Sequence, residues 1–169
     1  MTIKKGSMRE ALNNIYQVLI NDEELLRRLY YPPMNRDNPE PLSDELENIL
    51  DMEDEKLWSI QDDRIALGEK VSDLEGKELC RIYLSLGRRR PMFGNSLHTS
   101  QEVMLSVYIH ENFNDMRMES ISDRISELIA LERFGGTYGQ LEYAKGDPRV
   151  APRQYSRFDH LYVFNGNKK

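Results

Sequence analysis

The segment that decides the fold is "CRIYLSLGRRRPMFGNSLHTSQEVMLSVYIH", residues 80–110. Apolar and polar residues alternate in its first part, "CRIYLSL", and again in its last part, "EVMLSVYIH". A period of two over both runs is typical of half-buried strands. Between them, Gly87, Pro91, Gly94 and Asn95 favour turns and predict a connection of roughly fifteen residues. Common hairpin loops have about two to five residues, so a loop of this length is usually functional or held by a partner.

The sequence on either side predicts helices and two further strands. Met8, Leu12, Ile15 and Leu19 lie on one face of a first helix. A short second helix, "DEELLRRLYY", follows a capping box of Asn21 with Glu24 and ends at two prolines. A third helix is predicted in "DMRMESISDRISELIALERFGG", which a glycine pair ends. "TYGQLEYA" and "RFDHLYVF" read as the last two strands.

This order of elements predicts a single α+β domain over residues 1–169. We expect a mostly antiparallel sheet of about four strands flanked by helices. A long acidic arm, residues 36–64, is expected between the first helical region and the first strand. The one cysteine, Cys80, excludes an intrachain disulfide, and it lies on the apolar side of its strand, which predicts a buried thiol. No apolar run reaches the roughly 18 residues that a membrane span needs.

The acidic arm is the first charged feature of the chain. Eleven acidic residues and one basic residue lie between Asp37 and Asp63. We predict an extended segment with one or two short helical turns. Two interpretations remain open: a solvated loop wrapped on its own domain, or a docking arm that carries an aromatic anchor. The residues of the candidate docking arm are Asp51, Glu53, Asp54, Glu55 and Trp58.

Two basic segments stand out in a chain of formal net charge −6. Arg88, Arg89 and Arg90 lie in the long predicted loop, and Phe93 gives that loop an apolar anchor, which favours contact with a subunit or with DNA over simple solvation. A second predicted loop, "KGDPRVAPRQYSR", contributes four more basic residues: Lys145, Arg149, Arg153 and Arg157. Acidic and basic segments of one chain can pair between copies and set the register of an assembly. An acidic chain without a recognition motif is an unusual dedicated DNA binder.

The residues that could carry chemistry do not form a motif. His98, His110 and His160 are far apart and lack the spacing of metal ligands. Ser106 and Ser122 lack the surroundings of an activated nucleophile. The abundant carboxylates lie in the acidic arm without an implied cleft. We therefore expect no enzyme activity, no catalytic residues, no metal and no cofactor.

Several segments together resemble a known family. "LINDEELLRRLYYPP", "NILDMEDEKLWSIQDDRI", "CRIYLSLGRRRP", "SVYIHENF", "ISDRISELI" and "YAKGDPRVAPRQYSRFDHLYVF" are similar to small structural proteins of long-tailed bacteriophages and prophages, in particular the tail-terminator or tail-completion proteins of the head–tail junction. The resemblance implies a central sheet flanked by helices. It also implies a homo-hexameric ring that caps the tail tube and presents a surface to the head connector. The long acidic arm departs from the minimal terminator fold.

The resulting expectation is a virion protein of the head–tail junction, present in the host cytoplasm during assembly. Its expected partners are copies of itself, the tail tube protein and the head connector or stopper, with no membrane. Non-specific contact with DNA passing through the lumen remains open. The alternatives are a head-side neck protein, a stopper or adaptor, and a small nucleic-acid-binding factor.

Overall fold

The computed structural model describes residues 7–69, 71–135 and 137–167; within these, the side chains of residues 95–98, 138, 166 and 167 are left outside the description. His98, one of the histidines considered above, is therefore not among the described side chains. Four helices and five strands are present in this part of the chain. The helices are α1 Met8–Ile20, α2 Glu23–Tyr30, α3 Asp54–Arg64 and α4 Arg117–Ile129. The strands are β1 Ile65–Leu67, β2 Cys80–Met92, β3 Asn95–His110, β4 Tyr138–Arg149 and β5 Tyr155–Asn167.

The five strands form one sheet in the order β1-β2-β3-β5-β4. Only β1 is parallel to its neighbour, over residues Ile65–Leu67, and the other three pairings are antiparallel. The predicted α+β class with a mostly antiparallel sheet and flanking helices is confirmed. The sheet gains a fifth strand, β1, because three residues are too few to show a strand period in the sequence.

The helices form where the apolar periodicity predicts them, but the predicted end of the last helix at a glycine pair is wrong, because α4 already ends at Ile129. α1 begins after Ser7, whose hydroxyl accepts a hydrogen bond from the Glu10 N–H. The predicted capping box at Asn21 is wrong by one residue, because the carboxylate of Asp22 accepts the bond from the Leu25 N–H and so caps α2. Asp22 also pairs with Arg124 of α4 at 2.7 Å, which fixes α2 against that helix.

The predicted long loop between the first two strands is wrong. β2 continues to Met92 and β3 begins at Asn95, so only two residues, Phe93 and Gly94, connect the paired strands. Gly94 has a φ of 74°, a conformation that glycine adopts without steric cost. The arginine triplet therefore lies on a strand of a long hairpin. The second predicted loop is also shorter, because β4 extends through Arg149 and β5 begins at Tyr155.

The core has two parts, one on each face of the sheet. On one face, buried residues of α1, α2 and α4 pack against alternate residues of β2, β3 and β5. On the other face, Leu74 and Leu79 pack against Tyr83 and Tyr108. The acidic arm contributes buried residues to the first part, which anchors it on its own domain at these points: Ile49, Met52 and Ile60.

Candidate functional site

The outer end of the β2–β3 hairpin is strongly exposed on its β2 side. We call residues 88–94 the hairpin tip. Every residue from Leu86 to Pro91 is exposed, and the Phe93 side chain is fully exposed at 107% of its reference area. Since β1 pairs with β2 only as far as Leu84, the outer edge of β2 beyond that point has no strand neighbour within the described chain. The tip is therefore open to contact by another molecule.

A β-bulge positions the tip. The pairing shifts between Leu86 and Arg89, so that Gly87 and Arg88 lie opposite the single residue Glu102. The Arg88 N–H donates to the Glu102 carboxylate at 2.9 Å, and the side-chain amide of Gln101 donates to the Gly87 carbonyl at 3.3 Å. A Cβ at position 87 would lie 2.9 Å from the Glu102 Cβ. Glycine is thus required for this close approach, and the bulge sets the direction of the three arginines.

The arginines of the tip differ in their contacts. Arg89 donates from Nε to the Thr99 hydroxyl at 3.3 Å. Arg88 and Arg90 form no side-chain ion pair within the chain that the structure describes, and both are exposed. Two cations without an ion pair among the described residues, on the strand that leads to an exposed aromatic ring, are available to an anionic or mixed partner surface.

The basic residues of the second predicted loop, unlike those of the hairpin tip, mostly form ion pairs within the chain. Arg157 on β5 pairs with Glu69 at 2.6 Å and with Asp159 at 2.7 Å. On β4, Lys145 pairs with Asp147 at 3.0 Å, and the hydrogen bond from this ammonium lowers the pKa of the Asp147 carboxyl.

The remaining two basic residues of this group lie apart from each other. Arg149 is 3.7 Å from Asp159, whereas Arg153 is exposed in the turn between β4 and β5. The structure does not bring this group together with the hairpin tip as one basic patch.

The candidate docking arm lies at the start of α3. We call residues 51–58 the acidic segment. Asp51, Glu53, Asp54 and Glu55 are all exposed and have no ion pair among the described residues. Trp58 is 62% exposed. The segment is held in place by its buried neighbours, so it presents carboxylates and an indole ring on a fixed support.

The residues considered for chemistry are engaged in packing and hydrogen bonds. Both ring nitrogens of His160 have partners: Nε2 lies 2.8 Å from the Ser122 hydroxyl and Nδ1 lies 3.3 Å from the Tyr143 hydroxyl. Burial lowers the pKa of His160. Cys80 is fully buried, as predicted, and burial raises the pKa of its thiol to about 12, so the thiol stays protonated near neutral pH.

No group of three or more potential metal ligands is found among the described residues. No helix in the same part of the chain is long and apolar enough to cross a membrane.

A shallow groove at the opposite end of the sheet was missed by the sequence analysis. We call it the methionine groove; its volume is about 440 Å³, and its apolar lining includes Ile109, Phe113, Met116 and Met118. Two exposed carboxylates, Glu111 and Glu119, also line it. Met116 is 75% exposed and has a φ of 57° without being glycine. An exposed methionine leaves no periodic signal, so the sequence offered no means of finding this groove.

Buried polar contacts support the wall of the groove. The Arg117 side chain is almost fully buried and donates to the carbonyl of Tyr31 at 2.9 Å and to that of Pro32 at 3.0 Å. It also pairs with Asp115 at 2.9 Å, and its guanidinium lies 5.1 Å from the centre of the Phe113 ring. Residues 113–117 are thus fixed from both sides, which holds Met116 in its left-handed conformation.

A sequence model of the YomW family matches residues 22–164. The chain belongs to the YomW family. It is 27% identical over 166 residues to the SPbeta prophage-derived protein YomW of Bacillus subtilis (strain 168), covering 94% of this chain and 97% of that protein. The hairpin tip, the acidic segment and the methionine groove all lie within the region that the family model matches.

A solved structure shares the fold. The chain is similar to a protein chain in the virion of the native gene transfer agent (GTA) particle, with a TM-score of 0.53 and 13% identity. The alignment covers 96% of both chains. The likeness is therefore one of fold, and it extends over nearly the whole chain.

Proposed function

We propose that this protein is a structural virion component that forms a ring at the head–tail junction of a long-tailed phage or prophage particle. The observation that carries the proposal is the fold, shared over 96% of the chain with a chain of the GTA virion. The prophage origin of the YomW relative supports the same context. In this proposal the ring caps the tail tube and presents a docking face to the head connector, and copies of the chain, in sixfold symmetry, form the ring.

Charge distribution supports an assembly role. The carboxylates of the acidic segment and the side chains of Arg88 and Arg90 lack ion pairs within the described chain, whereas Lys145, Arg149 and Arg157 are largely neutralised. Uncompensated charges on fixed, exposed supports set partner choice and orientation in complexes. We assign the acidic segment with Trp58 to docking on a neighbouring virion protein, and the hairpin tip to contact with another copy.

The same distribution disfavours a dedicated nucleic-acid-binding role. The chain has a formal net charge of −6, and the described basic residues outside the tip mostly face carboxylates. A duplex binder gains most of its affinity from cations that face phosphates. Contact with DNA in the lumen is therefore at most transient and non-specific in this proposal.

The experiment that tests capping is the co-assembly of the purified chain with the tail tube protein of the same phage or prophage. We expect tubes that stop at a limited length, seen by electron microscopy, where tube protein alone gives a broad distribution of longer tubes. Tubes of unchanged length at excess chain would overturn the capping role. Binding to the head connector without binding to the tube protein would move the chain to the head side of the junction, as a stopper or adaptor.

A further inference from the structure

The hairpin tip and the methionine groove have complementary chemistry. The tip presents the exposed Phe93 ring with Arg88 and Arg90 on the adjoining strand. The groove offers apolar side chains with the exposed carboxylates of Glu111 and Glu119. Its volume of about 440 Å³ lies within the range of sites that accept an organic group, roughly 300–1,000 Å³. The tip thus combines an exposed aromatic ring with two cations on the strand that leads to it, and the groove combines apolar side chains with two carboxylates.

These two surfaces cannot meet within one molecule. β3 has 16 residues, begins next to the tip at Asn95 and ends at the groove with His110. At about 3.3 Å per residue, the strand separates them by roughly 50 Å. Because the strand is paired along both sides, this separation is fixed by the sheet. Any contact between tip and groove must join two molecules.

The backbone at Met116 adds an independent reason to regard the groove as a contact surface. At the position before a helix, a left-handed backbone conformation is adopted most easily by glycine, asparagine or aspartate, and these residues also cap the helix. Met116 provides no side-chain cap to α4 and exposes an apolar side chain to solvent. Departures from local stability rules of this kind concentrate at functional surfaces.

We propose that the hairpin tip of one copy binds in the methionine groove of a second copy. Phe93 packs against Phe113, Met116 and Met118, and Arg88 and Arg90 lie beside the two groove carboxylates. The contact is head-to-tail, since each copy uses one surface as donor and the other as acceptor. Repeated contacts of this kind form a ring where the rotation between copies closes. This inference rests on the assembly role proposed above.

The test uses three forms of the full-length chain in sedimentation velocity over a concentration series. The unmodified chain should show an average mass that rises with concentration. Phe93→Ala removes the tip contact, and Met116→Lys places a cation in the groove against the arginines. Each variant alone should weaken association on the order of tenfold or more. A mixture of the two should form a dimer that grows no further, because its single contact uses the intact tip of Met116→Lys and the intact groove of Phe93→Ala, and only the two altered surfaces stay free.

Two controls separate the contact from misfolding. Met116→Leu keeps an apolar side chain in the groove and should associate like the unmodified chain. Both substituted side chains are exposed, so the thermal midpoints of Phe93→Ala and Met116→Lys should remain close to that of the unmodified chain.

Three results would overturn the inference: an unmodified chain that stays monomeric up to its solubility limit, variants that associate normally, or a mixture that does not dimerise. A fourth result would come from the double variant Arg88→Ala, Arg90→Ala. If it self-associates like the unmodified chain but no longer retains DNA at low salt, the inference is overturned and the tip is assigned to nucleic-acid contact. Because no tube protein is present in these measurements, their failure would leave the capping experiment to decide the proposed function separately.

Discussion

At the scale of single residues, the buried Arg117 links parts of the chain that are far apart in sequence. Its side chain is 2% exposed and bonds the carbonyls of Tyr31 and Pro32 as well as Asp115. The two carbonyls lie 86 and 85 residues away along the chain, whereas Asp115 lies next to the helix start. One side chain therefore ties the end of α2 to the start of α4, beneath the methionine groove.

Replacing Arg117 by methionine should cost about 3–5 kcal/mol in the free energy of unfolding. The substitution leaves the Asp115 carboxylate and several carbonyls buried without their donor, and broken buried pairs carry a penalty of this size. Urea denaturation measures the change. The matched control is Arg88→Ala, at an exposed arginine, which should change stability by less than about 0.5 kcal/mol. Equal effects at both positions would contradict the role assigned to Arg117.

Asp115 makes part of the stability depend on pH. Burial by itself would raise the pKa of this carboxyl, but hydrogen bonds from the Met34 N–H and from Arg117 lower it below its ordinary value. A carboxyl whose pKa is lower in the folded than in the unfolded chain stabilises the fold at pH values above its unfolded pKa of about 3.9. This stabilisation is lost as the pH falls through the folded pKa.

We therefore expect Asp115→Asn to destabilise the protein more at pH 7 than at pH 3, because the Asp115 charge contributes fully at pH 7, whereas part of its contribution is already lost at pH 3, below the unfolded pKa. Urea denaturation at both pH values measures the difference. Asp51→Asn, at an exposed carboxylate of the acidic segment, is the control and should have a small effect at either pH. A destabilisation by Asp115→Asn that does not change between the two pH values would refute this assignment.

At the scale of elements, the sequence predicted the buried halves of the strands and missed their exposed ends. Residues 80–86 and 103–110 alternate in polarity because one face packs on the apolar core under the helices, whereas the other face carries Arg81, Tyr83 and Tyr108, which are also buried. Beyond Leu86 the first strand of the hairpin is exposed on both faces, so no alternation marks it as a strand. Pro91 suggested a loop, yet it lies on β2. This part of β2 has no neighbouring strand on its outer side within the described chain. Proline, which has no N–H, is tolerated on such an edge because no hydrogen bond to a second strand is lost there.

For the candidate site too, the sequence predicted local features and missed contacts between residues that are far apart along the chain. The exposed positions of the hairpin tip and the acidic segment followed from charge and composition. The neutralisation of Arg157 did not, because its partner Glu69 is 88 residues away and only the folded sheet brings them together. Helix α3 was underestimated as short turns because, of its eleven residues, only Ile60 and Gln61 are buried, which leaves little apolar periodicity.

The bulge at the base of the tip yields a prediction at this scale. Gly87→Ala should destabilise the hairpin by about 1–3 kcal/mol, since the new Cβ would lie 2.9 Å from the Glu102 Cβ and the strands must separate. Hydrogen exchange of the amides in residues 85–92 and 99–104 measures the local opening, which should become faster. Ser85→Ala, on the same strand before the bulge, is the control. Unchanged exchange around position 87 would show that the bulge does not depend on glycine.

At the scale of the whole molecule, the chain presents different surfaces in different directions. The hairpin tip lies at one end of the sheet, the methionine groove lies at the other end, and the acidic segment lies at the start of α3. Each carries an exposed apolar or aromatic side chain beside charges that the described chain leaves uncompensated. A subunit with several distinct neighbours in an ordered particle requires surfaces arranged in this way.

The most direct test of this account is hydroxyl-radical footprinting of Trp58, Phe93 and Met116 in the isolated chain and in purified particles that contain it. All three side chains are exposed in a single copy of the chain and should be oxidised readily at protein concentrations low enough to keep it monomeric. The account predicts strong protection of Trp58 and Phe93 in the particle, with Met116 protected wherever the tip of another copy lies in the groove. Oxidation of Trp58 and Phe93 at the same rate in the particle as in the isolated chain would contradict the claim that these surfaces exist for assembly.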